Sequence, residues 1–137
     1  MKLAQIPPSH VEQVWPLAAD MLSKAVEFSN GVSLPEEGKL IASGVKQLWM
    51  VIDDEAAPNK AVAAGITSIK QHGDGTKTAN IEMFGGENMK AWFALKGDFE
   101  TWAKDEGCSD IRLFARKGWA KHLPDYALTH YMMRKAI

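Results

Sequence analysis

The chain has 137 residues, of which 46% are hydrophobic and 24% are charged, which is the size and composition of one globular domain. Its formal net charge of −1 supplies no positive field that would attract nucleic acid. Cys108 is the single cysteine, and no Cys/His cluster has the spacing of zinc ligands. The N-terminus lacks a signal-peptide core, and no apolar run reaches the ~20 residues that span a bilayer. We therefore predict a single cytoplasmic domain over residues 1–137, with no metal, nucleic-acid or membrane partner.

The N-terminal part of the chain contains patterns for one strand and two helices. Residues 1–6 fit a short edge strand that the following prolines end. Ser9 and Glu12 have the spacing of a capping box, and apolar residues recur at helical spacing from there to Val26. A second helix is predicted to begin at Pro35, because proline suits the first helical position.

Three strands are predicted in the middle of the chain. Residues 48–52 form a continuous apolar run between polar turns, which is typical of a buried strand. Residues 61–69 and 78–84 are predicted to pair as a hairpin. The turn between them, residues 72–76, contains Asp-Gly, which supplies the positive φ angles that tight hairpins need.

A long amphipathic helix is predicted over residues 89–106. Asn88 can cap its N-terminus, and its apolar face includes Trp92, Phe99 and Trp102. The remaining predicted elements are a short strand (111–115), a short helix or turn (117–123) and a final strand (126–133).

The order of these elements and several motifs of the C-terminal half carry a resemblance. The motifs are Gly85-Gly86 before the long helix, Trp102-Ala103-Lys104-x-x-Gly107-Cys108, Ile111-Arg112-Leu113, Arg116-Lys117-Gly118-Trp119 and Leu123-Pro124-Asp125-Tyr126. In this combination the chain resembles the GNAT N-acetyltransferases, and among them the small GNAT-like proteins of tailed bacteriophages and prophages. The resemblance implies an α/β (α+β) fold: a mixed, mostly antiparallel twisted sheet with helices on both faces.

The resemblance also implies an acyl-CoA ligand, acetyl-CoA, in a splayed opening between the fourth and fifth strands. Backbone N–H groups at the start of the next helix hold the pyrophosphate in such proteins, and Phe84, Gly85, Gly86, Glu87 and Asn88 occupy that place here. Relatives begin this loop with Gln or Arg, whereas this segment has no cation and carries an acid at Glu87. The alternative is that Gly85-Gly86 only turns a strand into a capped helix.

Two residues are candidates for the chemistry of acyl transfer, which needs a base for the amine and an acid for the leaving thiolate. Glu82, on the predicted fourth strand, takes the place of a carboxylate that acts through water in many relatives. Its alternative is a solvent-facing strand residue. Tyr126 corresponds to a tyrosine that relatives place near the thiolate, and its alternative is core packing. His122, His130 and Cys108 fit no catalytic arrangement.

Two functions from different classes follow. The first is an acyl-CoA-dependent N-acyltransferase that acts on an amine acceptor. The second is a catalytically inactive GNAT-fold protein that serves as a phage accessory or virion component beside phage structural proteins, in the host cytoplasm or the virion. Glu82 and the retained glycines favour the first function, and the missing cation in the loop favours the second. We take the first as the prediction.

Overall fold

Five strands and three helices make up the part of the chain that the computed structural model describes, residues 1–26, 31–56, 58–87, 93–114, 117–130 and 133–137. The elements are, in chain order, β1 (Lys2–Ile6), α1 (Val11–Val26), α2 (Leu34–Ala42), β2 (Lys46–Asp53), β3 (Lys60–Gln71), β4 (Lys77–Gly86), α3 (Lys96–Asp105) and β5 (Asp110–Leu113). Two 3-10 turns lie at Pro8–His10 and Lys117–His122. None of the helices in these ranges combines the length and the apolar character that a bilayer crossing needs.

The strands form one sheet in the order β1-β2-β3-β4-β5. The first four strands are antiparallel to their neighbours, and β5 is parallel to β4. Short connections join β2 to β3 and β3 to β4, and the connection from β1 to β2 contains α1 and α2. β5 follows β4 only after a crossover that contains α3, which is the connection a parallel pair requires. The mixed, mostly antiparallel sheet of the sequence prediction is confirmed.

The β3–β4 hairpin has the predicted turn. The backbone N–H of His72 donates to the Thr76 carbonyl at 2.8 Å, and Gly75 has the positive φ of +87° that the turn requires. A carboxylate oxygen of Asp74 accepts from both the backbone N–H and the hydroxyl of Thr76, at 3.0 and 2.7 Å. The local sequence therefore determines this turn.

The sheet separates two apolar cores because successive residues of a strand point to opposite faces. On β2, Leu48 and Met50 lie in the core under α1 and α2, whereas Trp49 and Val51 lie in the core that contains Phe99 of α3. Both faces of this strand are buried, which explains its continuous apolar run. Helices cover both faces of the sheet, as the sequence predicts.

The predicted capping box at the start of α1 is wrong. Ser9 lies inside a 3-10 turn, and α1 begins at Val11. Pro7 takes the extended conformation that a cap residue adopts, with φ −59° and ψ 143°, so the helical turn begins before Ser9. α2 begins one residue before Pro35, and the hydroxyl of Ser33 accepts from its first turn at 3.5 Å.

The long amphipathic helix agrees with the prediction where the structure describes it. Phe99 is fully buried, and Trp102 is half-buried against Trp49, with the two ring systems edge to face at 5.2 Å. Gly107 ends the helix at a φ of +80°, as a C-terminal capping glycine does. The predicted cap Asn88 and the apolar-face residue Trp92 lie outside the described residues.

The predicted final strand is wrong for the residues that are described in it, 126–130 and 133, since none of them lies in a strand. Leu128 is 75% exposed and Met133 is 92% exposed. A β-branched or apolar pattern becomes a strand only where a neighbouring strand accepts its hydrogen bonds, and the neighbour at this edge is the four-residue β5.

Candidate active site

β4 and β5 are paired over the first part of β4, as far as the described residues extend. The N–H of Ser109 donates to the Lys77 carbonyl at 2.9 Å, and the described pairing ends at Ile81 and Leu113. β4 then continues through residues 82–86 while its other edge stays paired with β3. Among the described residues no strand pairs with the second edge of β4 at residues 82–86, and we call this edge the β4 opening.

Side chains hold the closed end of the β4–β5 pair. The buried hydroxyl of Thr78 donates to Asp110 and accepts from Nε2 of His72, at 2.5 and 2.7 Å. Arg112 Nε donates to the second oxygen of the same carboxylate at 2.9 Å. These bonds from Thr78 and Arg112 lower the pKa of Asp110 below its ordinary value. The first pairs of the two strands are thus fixed by side chains as well as by the backbone.

Glu82 lies in a β-bulge, one residue past the last described β4–β5 pair. In β3, Ile66 faces Met83 and Thr67 faces Ile81, so Glu82 has no partner across this ladder. A bulge re-aims the side chain of its extra residue and bends the strand. The Glu82 carboxylate consequently lies on the α1/α2 face at the rim of the β4 opening, with its side chain 32% exposed.

A lysine from β2 links Glu82 to α2. Nζ of Lys46 donates to Oε1 of Glu82 at 2.9 Å and to the two carboxylate oxygens of Glu37 at 2.9 and 3.2 Å. Burial disfavours the ammonium, but the hydrogen bonds to Glu82 and Glu37 outweigh it and raise the pKa of Lys46. We call Glu37, Lys46 and Glu82 the Lys46 cluster. It carries two carboxylates and one permanent cation.

The end of β4 is closely packed. A Cβ atom on Gly85 would lie 2.6 Å from the carbonyl oxygen of Met21 in α1. Gly86 has a φ of +140°, and a Cβ there would lie 2.5 Å from the Val62 carbonyl oxygen. The Phe84 side chain is buried and contacts Phe99 edge to face, with ring centroids 6.2 Å apart. Both glycines are therefore required by close backbone contacts.

Backbone and side-chain groups at the end of β4 decide what could bind there. The N–H of Glu87 donates to the Val62 carbonyl at 2.9 Å, so by strand alternation the N–H of Gly86 points to the β4 opening. Oε2 of Glu87 lies 3.8 Å from Nζ of Lys60, and both side chains are exposed. The Gly86 donor and the Lys60 cation are groups that can bind an anion, whereas the Glu87 carboxylate repels one. Asn88 lies outside the described residues.

Comparisons with known proteins relate the chain to acetyltransferases. No protein-family model matches the sequence, and no curated protein matches it. A solved probable acetyltransferase superposes with a TM-score of 0.70 at 13% identity, covering 100% of this chain and 99% of that one. The ribosomal-protein-alanine N-acetyltransferase of Brucella melitensis biovar Abortus gives 0.66 at 12% identity, with coverage of 100% and 99%. The chain has the GNAT fold.

A plant enzyme extends this likeness. Glucosamine-6-phosphate N-acetyltransferase of Arabidopsis thaliana gives a TM-score of 0.67 at 13% identity and covers 98% of this chain and 97% of its own. At such identities the likeness concerns the fold. Activity therefore has to be argued from the residues of the site.

Within the GNAT fold, the two catalytic candidates lie on opposite faces of the sheet. The Tyr126 hydroxyl donates to Oε1 of Glu100 on α3 at 3.0 Å, and its ring packs on the α3 side. Burial, and next the hydrogen bond with Glu100, raise the pKa of Tyr126 far above its ordinary value. Glu82 is bonded instead to Lys46 on the α1/α2 side. The structure does not bring these two groups together.

Sequence reasoning missed three charged residues of this region. Glu37 is one of two acids in the first turn of α2, where the helix dipole favours acids, and Lys46 and Lys60 only precede apolar strand residues, so no local pattern distinguishes them. Lys46 reaches Glu82, and Lys60 reaches Glu87, because β3 pairs with both β2 and β4. That proximity depends on sheet order and not on any spacing along the chain.

Proposed function

We propose that the chain is an acyl-CoA-dependent N-acyltransferase that transfers an acetyl group to an amine. The observation that supports this most strongly is that the described β4–β5 pairing ends at Ile81, directly before the Glu82 carboxylate in the β4 bulge. The solved neighbours include proteins named as N-acetyltransferases of ribosomal-protein alanine and of glucosamine 6-phosphate. For this chain we propose only the chemical class of the acceptor, an amine.

The segment proposed to bind acetyl-CoA is Phe84 to Asn88, as the sequence resemblance implies. When bound, the cofactor supplies the acetyl group as an activated thioester. In this segment the Gly86 N–H is a donor toward the β4 opening, and Lys60 on the neighbouring strand supplies a cation near Glu87. Glycine at 85 and 86 lets α1 and β3 approach the strand, which keeps the end of β4 straight against its neighbours.

Glu82 is proposed as the base. It accepts, directly or through a water molecule, the proton that the attacking amine nitrogen loses as its bond to the acetyl carbon forms. The carbon–sulfur bond then breaks, and the leaving sulfur takes up one proton, so atoms and charge balance. Lys46 and Glu37 leave one Glu82 oxygen, Oε2, without a bond from any residue in the described ranges.

Tyr126 stays a prediction as the proton donor. A general acid works best when its pKa is close to that of the group it protonates, and thiols ionise near about 8.5. The pKa of Tyr126 lies far above that value because of burial and Glu100. Proton transfer from this phenol to a thiolate is therefore uphill, and water is the competing donor.

A GNAT-fold protein without catalysis is the second candidate. Two observations favour it. Glu87 puts a negative charge in the segment proposed to bind the pyrophosphate. The Tyr126 hydroxyl donates its hydrogen bond to Glu100 on the α3 face of the sheet, away from Glu82. The resemblance to small phage proteins suggests a role as a phage accessory or virion component for such a protein.

Calorimetric titration with acetyl-CoA, followed by an assay of thiol release, separates the two candidates. The acceptor panel contains an N-terminal alanine peptide, an amino sugar, a lysine peptide and an aminoglycoside. The proposed enzyme binds acetyl-CoA and releases thiol with at least one of these amines. Binding without thiol release favours the second candidate, and absence of binding at millimolar ligand contradicts the acyl-CoA site.

A further inference from the structure

The Lys46 cluster joins three elements that are distant in the chain. Glu37 comes from α2, Lys46 from the start of β2 and Glu82 from the bulge in β4. β2 and β4 flank β3 in the sheet, so the Lys46 side chain reaches across β3 to bond with Glu82 at 2.9 Å. The side chains of Lys46 and Glu37 are each only 16% exposed, so solvent screens this contact less than it screens a surface ion pair.

We propose that Lys46, held by Glu37, is the positioning residue of the acyltransferase. It fixes the Glu82 carboxylate at the β4 opening by a hydrogen bond to one of its oxygens. This inference rests on the proposed function, in which Glu82 is the base. It assigns a role to Lys46 and Glu37 that the sequence pattern does not indicate.

The hydrogen bonds of Lys46 exclude a direct chemical role for its nitrogen. An ammonium has three N–H donors, and Glu82 and both oxygens of Glu37 account for all three. The pKa of Lys46 is raised, so the nitrogen keeps its proton at neutral pH and is neither a nucleophile nor a base. What remains is its effect on the orientation and charge of Glu82.

The geometry explains why this base needs a partner. The bulge leaves Glu82 without a partner across the β3 ladder, and Nζ of Lys46 holds one of its carboxylate oxygens at 2.9 Å. Glu37 holds the Lys46 ammonium in place, because both of its carboxylate oxygens accept hydrogen bonds from Nζ. Glu82 thereby keeps one fixed oxygen on Lys46 and one oxygen for the amine or its bridging water.

The test replaces Lys46 by Met, which keeps the length of the side chain and removes the charge. Lys46→Arg keeps the charge, and Lys39→Met is the matched control, since Lys39 is a 77% exposed lysine of α2 that pairs with the exposed Glu36 at 3.6 Å. Because Lys46→Met leaves Glu37 and Glu82 without their cation, Lys46→Met combined with Glu37→Gln restores the charge balance and guards against loss of folding.

The first measurement does not depend on activity. Side-chain carboxyl ¹³C signals of glutamate are followed by NMR, with the Glu82 signal assigned by its disappearance in Glu82→Gln. All spectra are recorded at neutral pH. We expect the Glu82 signal to shift in both variants that carry Lys46→Met, because its hydrogen-bond partner is lost, and to stay at the wild-type position in Lys39→Met. A Glu82 signal that is unchanged in Lys46→Met overturns the proposal, whatever the protein catalyses.

The second measurement is the kinetics of acetyl transfer. We expect kcat of Lys46→Met to fall on the order of tenfold while the KM for acetyl-CoA stays constant, because Glu82 loses its fixed position and the proposed acetyl-CoA segment is unchanged. Lys46→Arg should restore most of kcat. A wild-type kcat in Lys46→Met, or a loss that Lys46→Arg does not reduce, overturns the proposal. Absence of both acetyl-CoA binding and transfer in the wild type instead overturns the proposed function, and the NMR signals still report separately on the Lys46 contact.

Discussion

Gly85 lies so close to Met21 that a Cβ atom at position 85 would stand 2.6 Å from the Met21 carbonyl oxygen. The contact joins the end of β4 to the middle of α1. Since the Met21 oxygen belongs to helix backbone, it cannot move aside as the tip of a flexible side chain could. The glycine therefore serves the packing of α1 on the sheet, in addition to any role at the ligand site.

Gly85→Ala should destabilise the protein by about 1–3 kcal/mol, the usual cost of overpacking. Gly97→Ala is the matched control, because a Cβ at position 97 meets nothing within 4 Å. Gly97 lies in α3, and alanine there should add about 0.5–1 kcal/mol of stability. Urea unfolding measures both variants, and equal midpoints for the two would contradict the close contact with Met21.

Glu82→Gln tests the base. Glutamine can still accept a hydrogen bond from Lys46 but cannot take a proton from the amine, so kcat should fall about 100-fold or more while affinity for acetyl-CoA is retained. Glu36→Gln, which changes a 68% exposed carboxylate of α2, should leave kcat unchanged. Full activity in the Glu82 variant would eliminate Glu82 as the base.

Glu87→Gln and Lys60→Gln test the charges near the proposed phosphate site. Glu87 repels a pyrophosphate and also pairs with Lys60 at 3.8 Å, so its neutralisation should tighten acetyl-CoA binding several-fold at low salt. Lys60→Gln should weaken binding by a similar factor. Both effects should shrink at high salt because the two side chains are exposed. Calorimetry at two ionic strengths is the measurement, and weaker binding by the Glu87 variant would show that Glu87 does not face the phosphates.

Tyr126→Phe decides between proton donation and packing. The Tyr126 hydroxyl donates to Glu100, and its raised pKa makes it a poor donor to a thiolate, so we expect kcat to stay within about twofold and stability to fall by no more than about 1 kcal/mol. The assay is acetyl transfer together with thermal unfolding. A drop of about 100-fold in kcat without loss of folding would establish Tyr126 as the acid.

Asp110→Asn should change how stability depends on pH. The pKa of Asp110 is lowered in the folded protein by the hydrogen bond from Thr78 and then by that from Arg112. Its contribution to the free energy of unfolding is therefore fully present above the ordinary carboxyl pKa and is lost as pH falls through the lowered value. The wild type should therefore be more stable than the variant at about pH 6, and the difference should shrink at about pH 3 and below. Asp20→Asn, on the exposed side of α1, is the control, and urea unfolding at the two pH values is the measurement. A constant difference between wild type and Asp110→Asn would contradict the lowered pKa.

Parts of the site could be predicted from the sequence and others could not. The position of Glu82 at the end of the fourth strand followed from the strand pattern and the resemblance. Its place in a bulge did not, because a bulge is defined by the residues of β3 that it faces. Likewise Gly85 was predicted to turn the chain toward a helix, whereas the structure shows it within β4 against Met21.

The amino-acid sequence by itself determined the order of the elements, the hairpin at 72–76 and the burial of both faces of β2. Each of these depends on residues within a few positions of one another, through periodicity and turn chemistry. Only the tertiary structure decided that residues 126–130 do not extend the sheet and that Lys46 bonds to Glu82, 36 positions away. Such features depend on which strand edges and side chains become neighbours after the chain has folded, and that information is spread over the whole molecule.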